Sequence, residues 1–318
     1  IPEPEIRINS IDHSVRIVIR DLDELLDYRQ PASRFGLAKA ALALCGFSPA
    51  EAAWPKTATL RRMLERFGGG IELTTLAAIP SGSGLGTSSI MGAVLVSVIS
   101  RLTGRSLSQR ELFHAVLRLE QELTTGGGWQ DQVGGVVEGV KVIRTEPGMV
   151  PDPLIHFVPA DVLDPRSNGG LTLLYYTGLR RLAKNILADV VGNYLSRGRS
   201  SMRILQSIHA FPPVLAEAMS QKSIEKFGRL IDIAWGLKKE LDTESTTPVI
   251  EGILDRVADR IFGATLLGAG GGGFLLLVCR SEADAHDVRR ILSQDPPNRR
   301  ARFFDFDINQ EGLVVNVC

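Results

Sequence analysis

Hydrophobic and polar positions along this chain alternate between two periods. Alternation over residues 5–9 and 15–19, around a polar turn at Asp12-His13, predicts two strands, and 71–79 reads as a third. Helical spacing appears near 35–44. The apolar run 90–102 reads as a buried helix. Ser108, with Glu111 three residues later, forms a capping box that starts another helix running to about Leu123, where Gly126-Gly127-Gly128 ends it. Residues 140–144 and 171–176 look like strands. From Arg181 onward the pattern turns helical, over 182–195, 202–219, 224–241 and 249–262. A strand–glycine–strand unit follows at 264–267, 268–273 and 274–279, then a helix at 281–292 and an alternating strand at 301–308. The stretch 159–170, rich in Pro, Asp, Asn and Gly, is the best boundary, so the chain divides into two α+β domains, 1–163 and 164–318.

Composition narrows the function classes. Lys+Arg and Asp+Glu balance at 36 each, which argues against nucleic acid as the main partner, because a phosphate backbone demands a basic face. No apolar run reaches membrane-spanning length, and the nearest, 91–99, fits a buried helix, so no membrane partner is expected. Three cysteines, Cys45, Cys279 and Cys318, lie far apart without metal-ligand spacing, which predicts a reducing, cytoplasmic setting. A monomer or a homodimer is expected.

The chemistry concentrates at three places. Pro80-Ser81-Gly82-Ser83-Gly84-Leu85-Gly86-Thr87-Ser88-Ser89 joins a predicted strand to a predicted helix. Its glycines allow a tight turn and close ligand approach, and the N–H groups opening the next helix attract a phosphate. Thr87, Ser88 and Ser89 add hydroxyls, one of them a potential Mg²⁺ ligand. There is no Gly-Lys-Ser/Thr ending, so a Walker-type loop does not fit. Second, at ~100° per residue, Glu120 falls inside the apolar arc of its helix, between Val116 and Leu117. A carboxylate on a buried face is costly unless it meets a cation, either a metal or a buried Arg or Lys. Asp131 follows in Gly126-Gly127-Gly128-Trp129-Gln130-Asp131-Gln132-Val133-Gly134-Gly135, a segment that is not expected to be an ordinary helix. Its amides and aromatic ring suit a polyol: Trp129 would stack on a sugar face, and Gln130 and Gln132 would bind hydroxyls. Third, Leu267-Gly268-Ala269-Gly270-Gly271-Gly272-Gly273-Phe274 leaves a bend bare of side chains, open to a ligand or to another backbone.

The first segment resembles the Pro-x-x-x-Gly-Leu-Gly-Ser-Ser phosphate-binding motif of the GHMP kinases, the family of galactokinase, homoserine kinase, mevalonate kinase and phosphomevalonate kinase, with Thr87 in place of the first serine. Glu120 and Asp131 match, in order and spacing, that family's metal-binding Glu and the Asp near the acceptor hydroxyl. The third segment resembles its C-terminal glycine motif. Gly-Gly-Trp-Gln-Asp-Gln, together with the run from Tyr176 to Leu187, resembles the L-fucokinase branch; the D-glycero-D-manno-heptose 7-phosphate kinases are similar over the same segments.

The resemblance implies an N-terminal ribosomal-protein-like α/β sandwich, containing a left-handed βαβ crossover, and a ferredoxin-like C-terminal domain. It implies ATP and Mg²⁺ as cofactors and a small sugar phosphorylated on its anomeric hydroxyl. The expected roles are Asp131 and Arg181 in catalysis and Glu120 with Ser88 at the metal. Pro80, Gly82, Ser83, Gly84, Leu85, Gly86, Thr87, Ser88, Ser89, Gly270, Gly271 and Gly272 are expected at the nucleotide, and Trp129, Gln130, Gln132 and Gly271 at the sugar. A basic first helical turn would instead put Arg180, Arg181 and Lys184 in water. The branch's N-terminal Arg-Val-Asp-Leu-Ala-Gly-Gly-Trp-Thr-Asp has no counterpart here, so the chain is expected to be a cut piece in preference to a protein that truly lacks the segment. A sugar- and nucleotide-binding sensor without catalysis is the alternative of another class.

Overall fold

The computed structural model describes residues 1–30, 32–50, 54–80, 82–123, 128–148, 150–179, 191–192 and 194–317. Arg180, Arg181, Lys184, Ser81, Gly126, Gly127, Cys318 and most of the expected helix 182–195 lie outside them. Two compact units emerge. The first comprises Ile1–Pro80, Thr87–Val136 and Leu313–Cys318; the second comprises Ser81–Gly86 and Val137–Gly312.

In the first unit, β1 (Ile6–Ser10) pairs antiparallel with β2 (Val15–Ile19) and parallel with β3 (Ile71–Thr75), in the order β2-β1-β3. Period-two burial of Ile6, Ile8 and Ser10 follows the alternation seen in the sequence. The parallel partner requires a crossover, and α1 (Leu22–Leu26), α2 (Gly36–Leu42) and α3 (Leu60–Phe67) lie along it. The strand expected over 71–79 ends at Thr75, where its partner β1 ends at Ser10. Helix α4 (Thr87–Leu102) starts three residues before the expected apolar run, and α5 (Gln109–Glu122) carries the capping box in full. Gly92 lets these two helices close: a Cβ there would stand 3.0 Å from Leu119 and 3.4 Å from Val116. Contrary to the sequence expectation, the Asp131 segment forms one helical turn, α6 (Gln130–Gly134). Its last turn is packed so tightly that a Cβ on the following residue, Gly135, would lie 2.2 Å from Ile90.

In the second unit, β4 (Val140–Arg144) and β5 (Leu154–Val158) make an antiparallel ribbon. The main sheet is antiparallel throughout, β6 (Thr172–Tyr176), β7 (Ile261–Leu266), β8 (Phe274–Cys279) and β9 (Arg302–Phe304), in the order β7-β8-β6-β9. Helices α7 (Arg199–Ser220), α8 (Ile224–Leu241) and α9 (Pro248–Asp255) separate β6 from β7, and α10 (Glu282–Gln294) separates β8 from β9. A βαββαβ succession with sheet order 2-3-1-4 is the ferredoxin-like arrangement. Both central strands are buried along their whole length, which is why they read as apolar runs without alternation. Trp235, Ile250, Val257, Leu275, Leu277 and Val288 belong to one core cluster; Phe227, Ile231, Leu276 and Val278 belong to another. The helix expected over 249–262 stops at Asp255, because Ile261 already pairs with Cys279. The expected strand 301–308 keeps only Arg302–Phe304.

Candidate active site

In the first unit, α5 carries Glu120 on its buried face, as its angular position requires, and the residue is only 6% exposed. The Ser89 hydroxyl, from the first turn of α4, donates to Glu120 Oε1 at 2.6 Å, and the Gln132 amide, from α6, donates to Oε2 at 2.6 Å. Three helices thus converge on one carboxylate. Burial pushes the Glu120 carboxyl above its ordinary value; the Asp131 charge adds to that, while the bonds from Ser89 and Gln132 oppose it. Asp131 sits on the solvent side of α6, yet the surrounding protein pushes its carboxyl up as well. The Asp131 charge is therefore felt at Glu120, and the buried Glu120 carboxylate does not occupy the interior at low cost.

The other expected residues of the first unit are placed as follows. The hydroxyl that meets Glu120 is that of Ser89, whereas Ser88 is exposed. Gln132 is 1% exposed; its amide nitrogen is committed to Glu120, and its Oε1 is buried without a hydrogen-bond partner. That places the Gln132 side chain against the buried Glu120 carboxylate. Trp129 is half-buried and Gln130 exposed, on either side of the start of α6. No group of three or more His, Cys, Asp or Glu converges among the described residues. The arrangement still fits a hard divalent cation: a buried carboxylate, hydroxyls and an orphaned amide oxygen form the partial shell that Mg²⁺ accepts alongside water.

In the second unit the glycine turns build a second feature. Gly84 (φ 81°) packs so tightly that a Cβ would stand 2.4 Å from the Leu267 carbonyl oxygen. Gly273 (φ 94°) would put one 2.2 Å from the Ser83 oxygen. Phe274 N–H donates to Ser83 C=O at 3.1 Å, Gly273 N–H to Leu179 C=O at 3.0 Å, and Gly271 N–H to Ser245 C=O at 2.5 Å. The last bond commits the donor that a sugar contact at Gly271 would use. Gly270 and Gly272 are wedged against Ser245 and Leu179 respectively. Among the described residues, the N–H groups of Gly84, Leu85 and Gly86 donate to no carbonyl or side chain. Unpartnered N–H groups on one tight turn are the kind of donors that bind an anion. Pro80 and Thr87 flank this loop half-buried, Gly82 is exposed and Ser83 is buried. Ser245 escaped notice in the sequence because it acts through a backbone carbonyl, which no side-chain pattern reports.

The pattern shared with known proteins now decides the family. Residues 56–139 match the GHMP kinases N terminal domain, and residues 215–298 match the GHMP kinases C terminal domain. The chain belongs to the GHMP kinase family. This GHMP kinase is 40% identical over 309 residues to the L-fucokinase/L-fucose-1-P guanylyltransferase of Bacteroides fragilis, covering 97% of this chain and 32% of the relative. It is 32% identical over 228 residues to the bifunctional fucokinase/GDP-fucose pyrophosphorylase of Arabidopsis thaliana, covering 71% of this chain and 21% of that protein. The chain thus spans a third or less of the length of these relatives. A crystal structure of mevalonate kinase superposes with a TM-score of 0.69 at 20% identity, over 98% of this chain and 88% of the other, which shows the shared fold.

Proposed function

We propose that this GHMP kinase transfers the γ-phosphoryl group of ATP to the anomeric hydroxyl of a sugar, with L-fucose giving L-fucose 1-phosphate as the preferred reaction. The observation that carries this reading is the buried Glu120, tied to Ser89 and Gln132 and electrostatically coupled to Asp131, in a chain 40% identical over nearly its full length to about a third of an L-fucokinase/L-fucose-1-P guanylyltransferase. The free N–H groups of Gly84, Leu85 and Gly86 cradle the nucleotide phosphates. Glu120, with the hydroxyls of Ser88 and Ser89, holds Mg²⁺, which when bound neutralises charge on the phosphate oxygens. Asp131 accepts the proton of the anomeric hydroxyl as that oxygen attacks the γ-phosphorus and ADP departs. Its raised pKa suits that task, because a base poised nearer neutrality takes a proton more readily. Trp129 and Gln130 contact the sugar, and Arg181, which lies outside the described residues, stabilises the transferring phosphoryl group. Gln132 orients Glu120. Two buried free cysteines, Cys45 and Cys279, support a cytoplasmic setting.

The test is ATP consumption by the full-length protein with Mg²⁺ across L-fucose, D-arabinose, D-galactose, D-mannose and a heptose 7-phosphate. Turnover with L-fucose, and phosphate on C1, is the expected result. Turnover with the phosphorylated heptose alone moves the assignment to that branch. ATP binding without turnover on any of them favours the sensor.

A further inference from the structure

Lys238 lies in the last turn of α8, where a lysine ordinarily reaches into water. Instead its Nζ crosses to the end of β7, donating to the carbonyls of Leu266 at 3.2 Å and Gly268 at 2.8 Å. These two carbonyls bracket Leu267, whose own oxygen backs Gly84, and Gly268 packs directly on the Gly84 backbone. The ammonium therefore grips the segment against which the phosphate-binding loop is stacked, on both sides of the contact. The Trp235 ring, one turn earlier on the same helix, stands 5.6 Å from Nζ. Among the described residues, no carboxylate lies within ion-pair distance of Lys238. A cation held by carbonyl dipoles and a ring face, with no counter-ion among the described residues, is a poor device for stability, since a Met or Leu would fill the space at lower desolvation cost. The phosphate loop itself, Pro80 to Ser89, contains no basic residue, and neither does the turn from Gly268 to Gly273.

We propose that Lys238 is a positioning residue for nucleotide binding: its ammonium latches Leu266 and Gly268 so that they hold Gly84 and the free loop N–H groups in their anion-binding shape. This rests on the nucleotide reading above. The latch is also pH-sensitive, because burial lowers the Lys238 pKa to about 8. Among the described residues, the charged groups beside it are Lys239, which shares the Trp235 ring and pairs with Glu251, then Asp242 and Glu244 in the following turn. β7 has no titratable side chain, and β8 has only Cys279, whose thiol burial keeps protonated. The cause of the Lys238 shift is its own burial. A neutral amine loses the charge assistance that makes such bonds roughly twice as strong, so nucleotide affinity falls as pH rises through the Lys238 pKa. Fold stability moves the other way. The folded pKa lies below the unfolded one, so the unfolded chain binds more protons between about 8 and 10.5, and the Lys238 contribution to stability improves across that range.

The experiment is calorimetric titration of ADP, without metal, into the full-length wild type, K238R and K238M, each at about pH 7 and about pH 9, with thermal unfolding alongside. Wild-type affinity is expected to weaken about five- to tenfold between the two conditions, while melting follows its own course. K238R should stay flat, because a guanidinium does not titrate there. K238M should bind about tenfold more weakly than wild type at neutral pH and respond little to pH. Equal affinity in all three folded chains overturns the latch alone. Absence of ADP binding by the wild type overturns the nucleotide reading and the latch with it. If K238M does not fold, wild type and K238R decide: parallel pH profiles overturn the latch, and diverging ones support it.

Discussion

The carboxylate pocket of the first unit and the glycine turns of the second are built on opposite plans. The pocket is made of side chains: Glu120, Ser89, Gln132 and Asp131, carried by three helices, with the surrounding protein holding both carboxyls above their ordinary values. The turns are made of backbone, where Gly84 and Gly273 leave no room for a Cβ and, among the described residues, the N–H groups of Gly84, Leu85 and Gly86 have no acceptor. The first arrangement holds charge at a cost to the fold, while the second is part of how the fold closes. Damage to the pocket should therefore remove chemistry at a smaller cost in stability, whereas damage to the turns should remove binding and stability together.

Asp131→Asn is the sharpest way to break that comparison. Turnover should fall by about 10²–10⁴-fold, the usual worth of a positioned general base, while ADP affinity holds and the melting temperature does not fall. Gly273→Ala should do the reverse: a methyl 2.2 Å from the Ser83 oxygen, at φ 94°, should cost about 2–4 kcal/mol of stability and weaken ADP binding with it. Thermal melts and calorimetry on the two variants measure both arms. Gln132→Leu removes one donor from the buried Glu120; it should raise the Mg²⁺ concentration needed for half-maximal turnover several-fold and cost about 1–2 kcal/mol.

The smallest expected effect is the pH dependence of stability. Glu120 and Asp131 both have folded pKa values raised above their unfolded ones, so the folded chain binds more protons across the carboxylate range. Their contribution is present at low pH and is lost as pH rises through the folded values. Asp131→Asn should flatten part of that slope in urea melts taken across the acidic range. An unchanged slope would mean that the Asp131 carboxyl is not crowded in the way described.

Much of this was legible in the sequence because it depends on local order. The capping box at Ser108 and Glu111, the strands 15–19, 140–144 and 274–279, and the helix 224–241 all form where periodicity placed them. Glu120 stood out because a carboxylate breaks an apolar arc, and the structure buries it. Less legible were features that depend on partners distant in the chain. The end of β3 is set by the end of β1, and the end of α9 by the pairing of Ile261 with Cys279. The helical turn around Asp131 forms despite five neighbouring glycines, because Gly135 seats it against Ile90. Lys238 reads in the sequence as an ordinary basic residue in the last turn of a helix, and only the fold brings it to the carbonyls behind Gly84.

The central claim is that one carboxylate, Asp131, activates a sugar hydroxyl toward a nucleotide held elsewhere by backbone. Product analysis by phosphorus NMR, with L-fucose, ATP and Mg²⁺, on the full-length wild type and Asp131→Asn tests it most directly, with ADP binding measured on the same samples. The account predicts L-fucose 1-phosphate from the wild type, none above background from the variant, and equal ADP affinity in both. Phosphorylation by the variant at the wild-type rate, or phosphate on a carbon other than C1, would contradict it.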